Sequence, residues 1–253
     1  MLNYISAEWY KLRHTKGIFI AFGVLLGLIL LVYIPKFWYT EPSFGVYATA
    51  YIAFLPLGFF LAPIFAVKAF DDQYGKGTMK NEVVFGIPRS RIYLGKMAIA
   101  GLTGTGAALI VLNFYLLLNL VGHGAGDENI LLYMELCLRG TLLTLPLWLA
   151  SMSLAFCLQS AFHSSAGAVV ADYLILLIGT PLSLMGYEGE VNSLILKFFD
   201  RWFFVAPFRS VYGAMSEEIL LLNGMSYSWL LGLGWIAVTS LAGMAIFTRK
   251  EIS

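Results

Sequence analysis

One carboxylate stands out among the residues that could do chemistry. Asp172 falls seven residues into the stretch Ser165 to Met185, which carries no other charge. An ionised carboxylate at the centre of a bilayer costs about 2.5 to 3.5 kcal/mol even on the forgiving insertion scale. It has to face a bundle interior, a partner subunit or water. Two roles are open to it: part of a path for a polar substrate or a proton, or a structural group hydrogen-bonded between helices. His163, nine residues earlier, lies about 13 Å away along a continuous helix, too far for a direct pair. Cys137 and Cys157 sit in apolar surroundings without CxxC spacing, so neither a disulfide framework nor a zinc site is signalled. The phosphate-binding GxxxxGK[ST], the zinc-protease HExxH and the hydrolase GxSxG are all missing. No catalytic residue, metal ligand or cofactor is therefore expected on this chain, and any ATP and magnesium it depends on must be bound by another protein.

The elements that position Asp172 follow from composition. Of 253 residues, 59% are hydrophobic, 15% aromatic and only 12% charged, with a mean hydropathy of +0.79. A soluble domain carries roughly a quarter charged residues. The deficit excludes a soluble globular enzyme, a disordered chain and a nucleic-acid-binding domain. Lys11, Arg13 and Lys16 precede an uncharged run from Gly17 to Pro35, which lacks a small-x-small cleavage site and reads as a retained span rather than a secretory signal.

A bilayer core of about 30 Å needs around 20 apolar residues in a helix. On that measure six spans are expected, near Gly17 to Tyr33, Val46 to Val67, Met97 to Val121, Glu135 to Leu158, Ser165 to Met185 and Tyr227 to Thr248. The positive-inside bias orients them. Eleven of the 16 basic residues, among them Lys68, Lys76, Lys80, Arg89, Arg91 and Lys96, fall on the side that holds both termini, which is therefore cytoplasmic. The far side holds Lys36, Arg139, Lys197, Arg201 and Arg209 against nine acids.

Three segments are not spans. Residues 1–16 place Leu2, Ile5, Trp9 and Leu12 at helical spacing, with Glu8, Lys11, Arg13 and Lys16 mostly opposite, as in an amphipathic helix lying flat among lipid headgroups. Residues 70–96 form the longest polar segment, on the cytoplasmic side. Gly75 and Gly77 break the incoming helix, Thr78 can cap a new one and Pro88 ends it, leaving about two helical turns around Met79 to Phe85. Their apolar side either docks another protein or packs under the bundle. Residues 186–226 are rich in Phe and Trp with scattered charge, and read as two short helices that enter the outer leaflet partway and return.

The opening ISAEWYKLRHTKG, the loop YGKGTMKNEVVFGIPRSRIYLGK and the ending IFTRKEIS together resemble the membrane-spanning permease subunit of a type-2 ATP-binding-cassette (ABC) exporter, particularly the short permeases of lantibiotic or bacitracin self-protection. The likeness covers essentially the whole chain. It implies a single transmembrane domain over 1–253, all-α, with an N-terminal interface helix, a cytoplasmic coupling helix and a re-entrant extracellular region before the last span. It places the coupling helix, which seats in a cleft of the ATPase subunit, on Thr78, Met79, Lys80, Glu82, Val83 and Phe85. It also implies an ABC ATPase partner, a second permease copy or a sister permease, a lipid-embedded existence in a bacterial plasma membrane, and an amphipathic or lipophilic substrate such as an antimicrobial peptide or toxin. A membrane scaffold or immunity protein that does not transport, or a membrane-embedded enzyme, is the alternative. The enzyme would need a convergent set of ionisable residues, and the spans offer only Asp172.

Packing signals complete the reading. Gly23 and Gly27 in the first span, and Gly101, Gly104 and Gly106 in the third, let backbones approach closely. The resemblance brings Gly23, Gly27 and Asp172 near the partner permease. Asn113 and Asn119 could bond across helices, with plain packing the preferred reading, and Glu135 and Arg139 are placed to pair at i and i+4. Pro56, Pro63 and Pro146 each delete a backbone donor within a span and favour a kink.

Overall fold

The computed structural model describes residues 6–10, 14, 16–39, 44–74, 84, 86–123, 128–162, 164–184, 194–208 and 218–249, and every regular element among them is helical. After a short helix over 6–10 come α1 (Lys16–Tyr39), α2 (Phe44–Phe54), α3 (Leu57–Tyr74), α4 (Arg89–His123), α5 (Ile130–Ala161), α6 (Ser165–Leu184), α7 (Leu194–Arg201) and α8 (Glu218–Arg249).

Stretches of α4, α5, α6 and α8 are long and apolar enough to cross a membrane, and α2 with α3 form a fifth such unit, bent by 40° at its break. The first expected span falls on α1, whose described apolar piece, Phe22–Leu31, is shorter than the stretch a crossing needs. The outward faces are apolar, as a lipid-facing surface requires: Leu102, Ile110 and Leu117 on α4 and Leu230, Val238 and Leu241 on α8 are all exposed. α8 begins at Glu218, well before the expected start at Tyr227, so Glu218 to Ser226 continue the last span as one helix instead of forming a separate short one. α7 supplies one short helix of the region before it.

The bundle is built around α5. Of its most apolar window 72% is buried, against 33, 22 and 28% for α4, α6 and α8. Lipid tails are as apolar as leucine, so burying leucines cannot by itself drive helices together in a membrane; close backbone approach and polar contacts do that instead. The buried face of α5 accordingly carries Thr141, Thr144, Ser151, Ser153, Gln159 and Ser160. Thr141 shares a 2.7 Å hydrogen bond with the Tyr51 hydroxyl of α2, and Ser153 shares one of 2.6 Å with Thr239 of α8.

Those polar side chains also repair the proline breaks. Pro63 has no N–H to offer the carbonyl of Phe59, and the Ser151 hydroxyl donates to that oxygen instead, at 3.2 Å. At the α2–α3 bend, Trp148 Nε1 donates to the carbonyl of Leu55 at 3.0 Å, beside Pro56. Pro146 within α5 is met by α8 at Gly232, where a Cβ would stand 2.8 Å from Pro146 Cβ and 2.9 Å from its backbone carbon and oxygen. Only glycine allows that approach, and Ser228 one turn earlier donates to the Leu143 carbonyl, next to the Leu142 carbonyl that Pro146 leaves without its helical donor. Gly104 makes a second close crossing, its missing Cβ replaced by the Met152 methyl at 2.7 Å, whereas Gly106 faces open space.

The asparagine amides do not take the option of bonding across helices. Asn113 Nδ2 donates to Leu109 O at 2.8 Å and Asn119 Nδ2 to Tyr115 O at 2.6 Å, both within α4. A carbonyl one turn back is always within reach of such a short amide, so the local bond forms in place of one across helices. Glu135 and Arg139 do pair at the start of α5.

Candidate coupling site

The residues expected to meet an ATPase, Thr78, Met79, Lys80, Glu82, Val83 and Phe85, lie outside the described residues. Val84 is described and is 81% exposed. The structure instead defines how the chain leaves this loop. Gly86 has φ +80°, a left-handed conformation that glycine adopts without steric cost. The Pro88 carbonyl then accepts from Arg91 N at 2.9 Å and Ile92 N at 3.2 Å, which opens α4. Pro88 therefore starts the following helix as well as ending the loop.

The first two turns of α4 are fastened to the rest of the protein at three successive points. Arg89 Nη1 donates to the Thr248 carbonyl at 2.9 Å, so a cation closes the C-terminal end of α8, where unpaired carbonyls concentrate partial negative charge. One turn on, Tyr93 is fully buried, its ring 6.0 Å from Phe156 and 5.8 Å from Phe247, with its hydroxyl against Gly243. One turn further, Lys96 Nζ lies 2.9 Å from Glu8 Oε2 of the helix over 6–10. Lys96 is 1% exposed and Glu8 4%. On the entry side of the loop, the Lys68 stem packs against Gly17 at the start of α1.

Glu8 is a correction to the sequence reading, which grouped it with the cations mostly opposite the apolar side of the N-terminal helix. Its spacing carried the signal: Glu8 stands three residues after Ile5 and four before Leu12, on the apolar side. A carboxylate is buried there because Lys96 meets it. Trp9 and Tyr10 stay exposed, as membrane-interface anchors would.

Asp172 is not part of this cluster. It lies on the buried stripe of α6 with Ala168, Leu176 and Ser183, it is 1% exposed, and neither carboxylate oxygen has a hydrogen-bond partner among the described residues. Next to it the Tyr173 hydroxyl donates to the Phe60 carbonyl at 3.0 Å, binding α6 to the bent second span. His163 lies outside the described residues. Gly23 and Gly27 are not used for packing within the described chain, since a Cβ at either would meet nothing within 4 Å. Cys137 and Cys157 are free thiols. Among the described residues no three of His, Cys, Asp and Glu gather where they could hold a metal ion.

The geometry describes a membrane bundle with a polar loop whose exit is locked to both ends of the chain. A family model described as ABC-2 family transporter protein matches residues 4–179, more than two thirds of the sequence. The chain belongs to the ABC-2 transporter family. Among curated proteins no match was found. The ABC-2 permease is thus a multi-pass membrane transport component and not itself a catalytic ATPase, and members of its family normally work with an ATPase partner. The match begins at residue 4 and therefore includes Glu8, the Lys96 that meets it, the loop between them and Asp172.

Proposed function

We propose that this ABC-2 permease is one half of an ATP-driven exporter and takes its force through the loop 70–96. In this reading Thr78, Met79, Lys80, Glu82, Val83 and Phe85 form a coupling helix that docks in a cleft of an ABC ATPase subunit, which binds the ATP and magnesium. The chain crosses a bacterial plasma membrane six times with both termini in the cytoplasm, α1 and the bent α2–α3 unit supplying the first two crossings. A second copy or a sister permease completes the transporter, with Gly23 and Gly27 at the contact and Asp172 nearby. The cargo is an amphipathic or lipophilic molecule, an antimicrobial peptide or toxin being the first class to test.

The single observation that supports this is the fastening of α4 immediately after the loop. A short docked helix transmits displacement only if the next segment of chain does not yield, and Arg89, Tyr93 and Lys96 tie that exit to α8 and to the N-terminal helix within two turns. A push on the loop then moves three elements together.

The test is co-purification of the permease with an ABC ATPase subunit expressed in the same cell. Met79→Asp and Phe85→Asp are expected to abolish association while leaving membrane insertion intact. Undiminished co-purification of both variants would sink the coupling role, and a wild-type protein that binds no ATPase would favour the scaffold reading.

A further inference from the structure

The α6 span carries a carboxyl without a partner among the described residues: Asp172 is 1% exposed, and neither of its oxygens is hydrogen-bonded. α6 packs chiefly against α3, α5 and α7, so a charge that met Asp172 would have to come from one of them. The level of Asp172 along α3 is set by its neighbour, for the Tyr173 hydroxyl donates to the Phe60 carbonyl at 3.0 Å and the two rings stack 6.4 Å apart. Counted from Phe60, Lys68 stands eight residues on, about 12 Å of helix, with its stem against Gly17 of α1. Asp71 and Asp72 lie further still along the chain.

The other two neighbours bring no charge to that level either. On α5, Glu135 and Arg139 pair with each other within the first ten residues, beside Tyr133 and Cys137 and remote from the turn that joins α5 to α6. Nearer that turn the titratable group of α5 is the free thiol of Cys157. α7 meets α6 where Ser183 Oγ donates to the Phe199 carbonyl at 2.9 Å. That contact is eleven residues beyond Asp172, about 16 Å, which keeps Lys197, Asp200 and Arg201 at the opposite end of α6. An ionised carboxylate with neither partner nor water is among the costliest groups a bundle can hold, and a protonated carboxyl is far less so. Both oxygens are closed off from solvent, so in this packing no ligand larger than a proton reaches them.

We propose that Asp172 is a proton-binding site, loaded while α6 is packed on α3 and α5 and emptied when that seam opens to water. On opening, the carboxyl O–H bond breaks, its electron pair stays on the Asp172 oxygen and the proton passes to water; closing the seam reverses the step. α6 is suited to such a movement, being the least buried of the four long spans. A water-exposed aspartate is ionised above about pH 5, so a higher pH favours the opened seam and a lower pH the packed one. A cationic group on a cargo is the other chemistry that answers a carboxylate, and it requires Asp172 to be ionised in the packed bundle. Proton binding is independent of the ATPase reading, since it can be measured on the permease alone.

The experiment uses the full-length permease in dodecyl maltoside micelles, whose detergent has no carbonyl to mask a carboxyl. The infrared spectrum of the wild-type protein at neutral pH is expected to show a protonated-carboxyl band that Asp172→Asn removes. Ala168, one turn before Asp172 and equally buried, reports the seam. In chains carrying Cys137→Ser and Cys157→Ser, Ala168→Cys is labelled with a water-soluble maleimide, and the extent is divided by that of the same cysteine in the Asp172→Asn chain. The division cancels the thiol's own pH dependence. The ratio should rise between about pH 5 and 7, by up to about tenfold per pH unit, the limit for one proton. Absence of the band from the wild-type protein overturns the proposal with no variant needed, and favours an ionised Asp172 that awaits a cation. A band that survives Asp172→Asn, or a labelling ratio flat with pH, overturns it too.

Discussion

Lys96 Nζ lies 2.9 Å from Glu8 Oε2, and both side chains are almost wholly withdrawn from solvent. The pair joins the first helical turns of the chain to the second turn of α4, across 88 residues of sequence. Removing one partner weakens the hold on the other buried charge, at a cost of up to about 3 to 5 kcal/mol, whereas replacing both with apolar groups is often nearly neutral. Lys96→Met alone is therefore expected to lower thermal stability in detergent by that amount. Adding Glu8→Leu should recover most of it. A single variant as stable as the wild-type protein would show that the pair is not buried in solution.

Asp172 gives a prediction of opposite sign. A buried carboxyl with neither oxygen bonded to any described residue lowers the stability of α6 packing. Asp172→Leu should therefore raise the unfolding midpoint, by about 1 to 3 kcal/mol of restored stability. If the carboxyl belongs to a substrate or proton path, Asp172→Asn lowers transport while assembly stays normal. Transport at the wild-type rate would assign the residue to structure.

The glycines separate into two classes. Gly232→Leu places a side chain against the Pro146 backbone and is expected to cost about 1 to 3 kcal/mol or to displace α8, read as a lower melting temperature. Gly23→Ala and Gly27→Ala meet open space and should change stability of the isolated chain by no more than about 0.5 kcal/mol. Larger residues at those two positions should weaken permease–permease cross-linking if the free face of α1 is the contact between subunits.

The proline repairs are individually small. Ser151→Ala frees the Phe59 carbonyl, and Trp148→Phe leaves that of Leu55 with the Gly58 N–H at 3.3 Å in place of two donors. Interhelical hydrogen bonds in membranes average about 0.6 kcal/mol, so each single change should cost about that much. The double variant should lose both and relax the 40° bend between α2 and α3, measurable as altered spin-label distances between their ends. An unchanged bend would place its origin in Pro56 alone.

The membrane class and the positions of most helices were legible in the amino-acid order. Length, absence of charge and helical rise are local quantities, and α4, α5 and α6 fall close to where they put them. The i, i+4 pair of Glu135 and Arg139 was legible for the same reason, since both ends sit on one turn. Contacts between distant segments came only with the packed bundle. Lys96 reads as an ordinary cytoplasmic cation until Glu8 is brought to it, and Gly232 as one small residue among many until the Pro146 backbone arrives beside it. For Asn113 and Asn119 residue type left a bond across helices open, but a bond within reach on their own helix outcompetes one that packing must deliver. Hydrophobic spacing says which side of a helix avoids water, and in lipid nearly every side does. Choosing which faces meet therefore fell to close backbone contacts and paired polar groups, and these exist only once the helices are packed.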